Sequence, residues 1–165
     1  MGPLADAVAV KIQEQMERTV HLITFVPEDR LQWTPIPGAW PCGQLLGHLL
    51  DCLAGICAVL YAAHPERLAH FAELRKLPVN FACGPSEASR RIGVYRAHIE
   101  EGFALLSDAD LGRKLPTVFV AEGESVLTLL LGNLEHLVNH KHQLFMYLKL
   151  LPVSVGTPDL YQFRA

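Results

Sequence analysis

Apolar residues fall in four long helical stretches of this chain, with helical spacing plainest in the first and third, and proline- and glycine-rich breaks lie between them. Over residues 5–25, Val8, Ile12, Met16, Val20 and Ile23 fall on one helical face, Lys11, Glu14, Glu17 and Arg18 fall off it, and Pro27 ends the pattern. Residues 26–40 contain three prolines and a glycine, which forbid a helix. Leu31, Trp33 and Trp40 in that loop need cover, so it is expected to pack on the helices. A second helix is expected over residues 41–63, with Pro41 in its first turn, where a missing N–H costs nothing. Residues 64–85 are less regular, with room for one short helix. Pro85-Ser86-Glu87 opens the third helix, with Ser86 as N-cap, and Ile92, Tyr95, Ile99, Phe103 and Leu106 form its apolar face. Residues 107–123 connect, with 116–120 as a short extended piece. Ser125 caps the last helix, residues 126–151, which Pro152 stops; the tail from 154 to 165 reads as irregular. Four helices of about twenty residues predict an all-α fold, a four-helix bundle in one domain spanning residues 1–165. The long connections leave the order of its helices open.

Length and composition narrow the class. At 165 residues the chain suffices for one domain with a real core. Half its residues are apolar and 19% are charged, which excludes a disordered tail. The net charge of −3 and scattered cations argue against a nucleic-acid partner. Residues 44–63 are apolar enough to span a bilayer, but they carry His48 and Asp51 and lack flanking Lys/Arg anchors. A buried helix, in the bundle core or a dimer interface, is expected instead, with no membrane partner. Cys42, Cys52, Cys57 and Cys83 form no C-x-x-C and no disulfide framework, and read as buried, reduced thiols. With no evident signal peptide, they predict a cytoplasmic protein.

The candidate chemistry lies in Asn133-Leu-Glu-His136-Leu-Val-Asn-His140-Lys-His142-Gln143. His136 and His140 are four residues apart on a predicted helix, so their imidazoles share a face about 6 Å apart, within reach of one metal ion. His142 points some 200° away from His140 and should not join them. Among eight histidines such a pair arises readily by chance. Its setting in a strongly apolar helix gives it weight, because buried imidazoles need partners. A third ligand has to come from another helix. His48, beside Gly47, is the best candidate, although a core histidine bonded to a carbonyl is the commoner fate of a lone one; His21 also reaches toward the interior. His64, His70 and His98 sit in polar surroundings and read as surface residues. Asn133 and Gln143 lie near the His face and can orient ligands. Nothing in the sequence places Tyr95 or Arg96 at a pocket.

Several segments together resemble the DinB-like (YfiT-type) superfamily of metal-dependent four-helix-bundle proteins. They are Pro27-Glu-Asp-Arg-Leu-Gln-Trp33-Thr-Pro35, Trp40, Leu45-Leu-Gly47-His48-Leu-Leu-Asp51, His136-Leu-Val-Asn-His140-Lys-His142-Gln143-Leu144 and Leu148-Lys-Leu-Leu151. The likeness covers about residues 5–155. Two departures stand out: His142 where the family often has a small residue, and Trp40-Pro41 where a Trp-Ser cap is usual. The resemblance implies a three-histidine site of His48, His136 and His140, with a divalent ion (Ni, Zn, Fe or Mn) and an open position. It also implies a metal-bound water or thiol as nucleophile, a small-molecule substrate and, as favoured subclass, thiol S-transfer with a low-molecular-weight thiol.

Other chemistries lack their parts. Leu137 follows His136, so the metalloprotease glutamate is missing. Glu135 precedes His136 directly, the wrong spacing for a di-iron bundle. No Gly-rich phosphate loop is present. Two readings remain: a metal-dependent transferase or hydrolase, and a non-catalytic, stress-associated helical binding or dimerisation module with a vestigial or structural metal site. A homodimer is expected from the apolar second helix.

Overall fold

The structure, a computed structural model, describes residues 2–78, 80–117 and 120–161. Four long helices form the expected bundle: α1 (Pro3–Ile23), α2 (Cys42–Ala63), α3 (Pro85–Leu105) and α5 (Val126–Leu150). Short helices α4 (Asp108–Leu111) and α6 (Thr157–Tyr161) flank α5, and 3-10 turns cover Glu28–Arg30 and Ala69–Lys76. Strands β1 (Lys114–Leu115) and β2 (Glu124–Ser125) pair antiparallel, Lys114 opposite Ser125.

Contacts between side chains fix the directions. Asp108, just past α3, accepts from the Ala5 amide at 2.9 Å, so α1 and α3 run antiparallel. Cys57 lies against Tyr95 and Leu60 against Gly102, so α2 and α3 run parallel. His48 meets His140 while Gly55 meets Asn133, so α2 and α5 run antiparallel. The bundle is therefore up-down-down-up. Each of α1 and α2 packs on both α3 and α5, and the two lie diagonally across the core. The connection between α2 and α3 has to return the length of the bundle, as a parallel pair of consecutive helices requires.

The helix boundaries follow local chemistry. Gly84 is the N-cap of α3 and Pro85 occupies its first turn, so the helix starts ahead of Ser86, correcting the expected cap. Pro41 is likewise the N-cap of α2 rather than a first-turn residue. It offers no side-chain acceptor, so the preceding loop serves: Cys42 N–H donates to the Trp33 carbonyl (2.9 Å) and Gly43 N–H to that of Leu31 (2.8 Å). Ser125 caps α5 as expected, accepting from Thr128 N–H at 3.0 Å. Unforeseen from periodicity, α4 is held by a reciprocal Ser107–Asp110 capping box. The tail is not wholly irregular, since α6 docks on α1 through His21 and Asp159 at 3.1 Å. Of the extended piece expected over 116–120, residues 118 and 119 lie outside the described residues.

The core is apolar with a few polar insertions. Val8, Ile12, Met16 and Ile23 are buried, but Gln15 and Thr19 are buried beside them and Val20 is only half-buried. Lys141 is buried too. Its ammonium donates to Gln15 Oε1 at 2.8 Å, and burial pushes its pKa down to about 8. The α2 helix, long and apolar enough by composition to cross a membrane, is covered on two sides by α3 and α5.

All four cysteines are free, and Cys42, Cys52 and Cys57 are buried. Desolvation pushes their thiols up to about 11, 12 and 12 from an ordinary 9.0. In the unfolded chain these thiols ionise near 9 while the folded ones stay protonated. The unfolded state then binds fewer protons, and stability falls as pH rises through 9 to about 11. We expect thermal unfolding scans from pH 8 to 10.5 to show this decline, weakened by Cys52→Ala. A thiol reagent at pH 8 should leave Cys42, Cys52 and Cys57 unmodified until denaturant is added.

A candidate metal centre of three histidines

The three sequence-predicted histidines come together. His48 sits two turns into α2, and His136 and His140 lie one turn apart on α5. His48 Nε2 is 3.0 Å from His136 Nε2 and 3.1 Å from His140 Nε2. One ligand atom from each residue lies within 4.8 Å of the other two, a group that could hold a metal ion. For comparison, an ion with bonds of about 2.0–2.1 Å in a tetrahedral set holds its nitrogens roughly 3.3 Å apart.

The far side of two rings decides what the near side offers. His140 Nδ1 is 2.8 Å from Gln143 Oε1, and His48 Nδ1 is 3.0 Å from Asn80 Oδ1. A carboxamide oxygen only accepts, so each Nδ1 donates its proton, leaving the Nε2 lone pairs facing each other. Gln143 is held in turn: its Nε2 donates to the Tyr147 hydroxyl (3.3 Å), which donates to the Trp40 carbonyl (3.1 Å). Burial, reinforced by the neighbouring imidazoles, pushes the His136 pKa below its ordinary value. Burial does the same for His140, opposed by its bond to Gln143. Both effects favour the neutral rings that metal binding requires.

The surroundings explain the proline-rich loop. The Trp40 ring lies 4.5 Å from His48 and stacks on His140 at 5.7 Å. Trp33 meets Tyr147 edge-on at 5.7 Å. Residues 26–41 thus pack an aromatic wall over the histidines, as the need to cover Leu31, Trp33 and Trp40 implied. Gly47 has a different job: a Cβ there would stand 2.0 Å from the Phe81 carbonyl. Its absence lets residues 80–83 cross directly over α2 and bring Asn80 to His48. Asp51, one turn past His48, lies 3.4 Å from its Nδ1 and accepts from the Asn80 backbone N–H at 3.0 Å. Desolvation pushes the Asp51 pKa up, against the hydrogen bond from Asn80 and the nearby His48 and Arg91.

The other expectations divide. Gln143 orients His140. Asn133 does not reach the ligands; its amide donates to the Leu129 carbonyl (2.9 Å) and its side chain packs on Gly55. His142 is exposed beside Phe145, away from the site as its spacing implied. His21 pairs with Asp159 instead of entering the interior. His70 is exposed and bonded to Glu101 (2.9 Å), but His64 and His98 are half-buried, not surface residues: His64 lies 3.8 Å from Asp110, and His98 donates to the Val94 carbonyl (2.8 Å). Tyr95 is a core residue, and Arg96 is half-buried with an unpartnered Nε. Asn80 escaped the sequence reading, since its segment has no periodicity. Asp51 carried a signal that went unused, being three residues past His48 on the same helix face.

Comparison with known proteins agrees with this architecture. A crystal structure of a DinB-like protein from Bacillus subtilis, YjoA, superimposes with a TM-score of 0.69 at 15% identity, covering 96% of this chain and 99% of that one. No curated protein matches the chain. The family model of the DinB superfamily matches residues 11–144, taking in all three histidines, and the chain belongs to that superfamily.

Proposed function

We propose that this protein holds a divalent metal ion with His48, His136 and His140 and uses it on a small molecule. The observation that carries the reading is the pair of imidazoles whose Nδ1 protons are pinned by carboxamide oxygens while their Nε2 lone pairs meet at 3.1 Å. Two lone pairs so placed repel unless a cation lies between them. An all-nitrogen set suits Ni²⁺, Zn²⁺, Fe²⁺ or Mn²⁺, and three protein ligands leave room for a fourth from outside. When bound, such an ion supplies Lewis acidity and lowers the pKa of a coordinated water or thiol.

The protein's own residues do the remaining work. Gln143 and Asn80 hold two rings in one tautomer, Asp51 adds negative charge behind His48, and the Trp40 ring shields the ligands from water. Cys52, the cysteine nearest the site in sequence, donates to the His48 carbonyl at 3.5 Å and is held protonated by burial. Burial pushes all four thiols above their ordinary value, so the chain offers no ready thiolate of its own. A sulfur nucleophile would have to enter with a low-molecular-weight thiol, and thiol S-transfer is the subclass that the family resemblance favours over hydrolysis. Four free cysteines fit a reducing, cytoplasmic setting.

Metal analysis of the purified protein by mass spectrometry should find one ion per chain. His136→Ala and His48→Ala should reduce it to background while helical circular dichroism is kept; equal metal in variant and wild type would defeat the assignment. Gln143→Leu keeps all three ligands but frees the His140 ring. It should weaken Zn²⁺ binding about 10- to 100-fold in competition with a chromogenic chelator.

A further inference from the structure

Arg91 on α3 is among the most deeply buried side chains, 1% exposed. A guanidinium is permanently charged, and a buried cation is costly unless it is compensated. Among the described residues Arg91 forms no close ion pair and its Nε has no hydrogen-bond partner, although Tyr95, one turn along α3, lies beside its charge. A position that only needed filling would be better served by an apolar residue of the same volume. What Arg91 does do is donate from Nη2 to the carbonyl of Pro78, two residues before Asn80.

Beyond Pro78, residues 80–83 cross the histidine site. Residues 80–83 are joined to α2 at several points. Asn80 N–H donates to both carboxylate oxygens of Asp51 (3.2 and 3.0 Å), the Phe81 carbonyl rests on Gly47, and Cys83 N–H donates to the Gly43 carbonyl (3.1 Å). Asn80 itself has φ +55°, in the left-handed region that asparagine enters more readily than other non-glycine residues. In that conformation its side chain meets His48 Nδ1.

We propose that Arg91 is a positioning residue for the three-histidine site, anchoring the stretch over α2 so that Asn80 fixes the orientation and tautomer of His48. Arg91 touches none of the three histidines; it acts through Pro78 and Asn80. Only the consequence for metal affinity rests on the metal reading. The hold on Asn80 and His48 belongs to the protein alone.

The test uses the full chain, first metal-free. In Arg91→Met, of similar volume but without the donor, amide hydrogen exchange at residues 80–83 should rise at least tenfold while exchange in the middle of α5 stays unchanged. The His48 imidazole, read by nitrogen-15 NMR, should shift from a single Nδ1–H tautomer to a mixture. Arg91→Lys, which can still donate to Pro78, should recover part of both. Asn80→Gly tolerates the left-handed backbone and removes only the side chain, so it should disturb the His48 tautomer with little change in exchange. It also keeps the proposal falsifiable if Arg91→Met does not fold. With Zn²⁺ as probe, Arg91→Met and Asn80→Gly should each bind about tenfold or more weakly, and the double variant no worse than the weaker single. Unchanged exchange and an unchanged His48 tautomer in Arg91→Met would overturn the proposal, as would an undisturbed tautomer in Asn80→Gly. Failure of the wild type to bind Zn²⁺ or other divalent ions, with the metal-free changes present, would overturn the metal reading instead.

Discussion

Like poles are made to face each other where α2 meets α5. A neutral imidazole has one nitrogen that donates and one that accepts, and whichever nitrogen meets a carbonyl must be the donor. By putting a carboxamide oxygen behind His48 and another behind His140, the fold removes the option of an ordinary hydrogen bond between the two rings. The Gln143–Tyr147–Trp40 chain, the glycine that lets a loop cross α2 and the aromatic wall from the proline-rich loop all keep that arrangement in place. A set of polar groups that would be a defect in a storage or scaffold protein becomes coherent once a cation is supplied.

Much of this was legible in the amino-acid order, for identifiable reasons. The apolar faces of α1 and α3 repeat at helical spacing, and α2 and α5 are long apolar runs each bounded by a proline, so the four long helices and most of their ends could be placed. The four-residue step from His136 to His140 gave the pair directly, because helical geometry converts sequence spacing into distance. His48 could be named only as the best of several candidates, and it took the resemblance to the DinB-like family to single it out. Nothing local says that residues 48 and 140 meet. The boundaries that were missed turn on backbone rules overriding side-chain preference, as where Pro85 starts α3 ahead of Ser86. Asn80 was invisible because its role depends on a left-handed backbone in a segment with no periodic pattern. Arg91 and Lys141 were hidden for a related reason, since a charged residue on an amphipathic helix is expected to face water.

The buried charges deserve comparison. Lys141 lies one residue beyond His140, about 100° round α5, and points toward α1 and α6, where Gln15 and the Leu160 carbonyl receive it. Its partners are neutral and its pKa falls accordingly. Arg91 cannot lose its proton, so the fold must accommodate the cation as it stands. The two groups show how the same α-helical core handles a lysine and an arginine differently: one yields its charge more readily, the other has to be used.

The up-down-down-up order has a consequence for how the protein comes into being. His48 and its two counterparts are 88 and 92 residues apart in the chain, on helices joined only through α3 and two long connections. A ribosome that has released everything up to α5 has delivered just one of the three imidazoles. The growing polypeptide therefore cannot capture an ion early and fold around it, as a zinc finger does. The apolar faces of the bundle have to bring α2 and α5 together, and any ion held by all three imidazoles would arrive only after α5 is made.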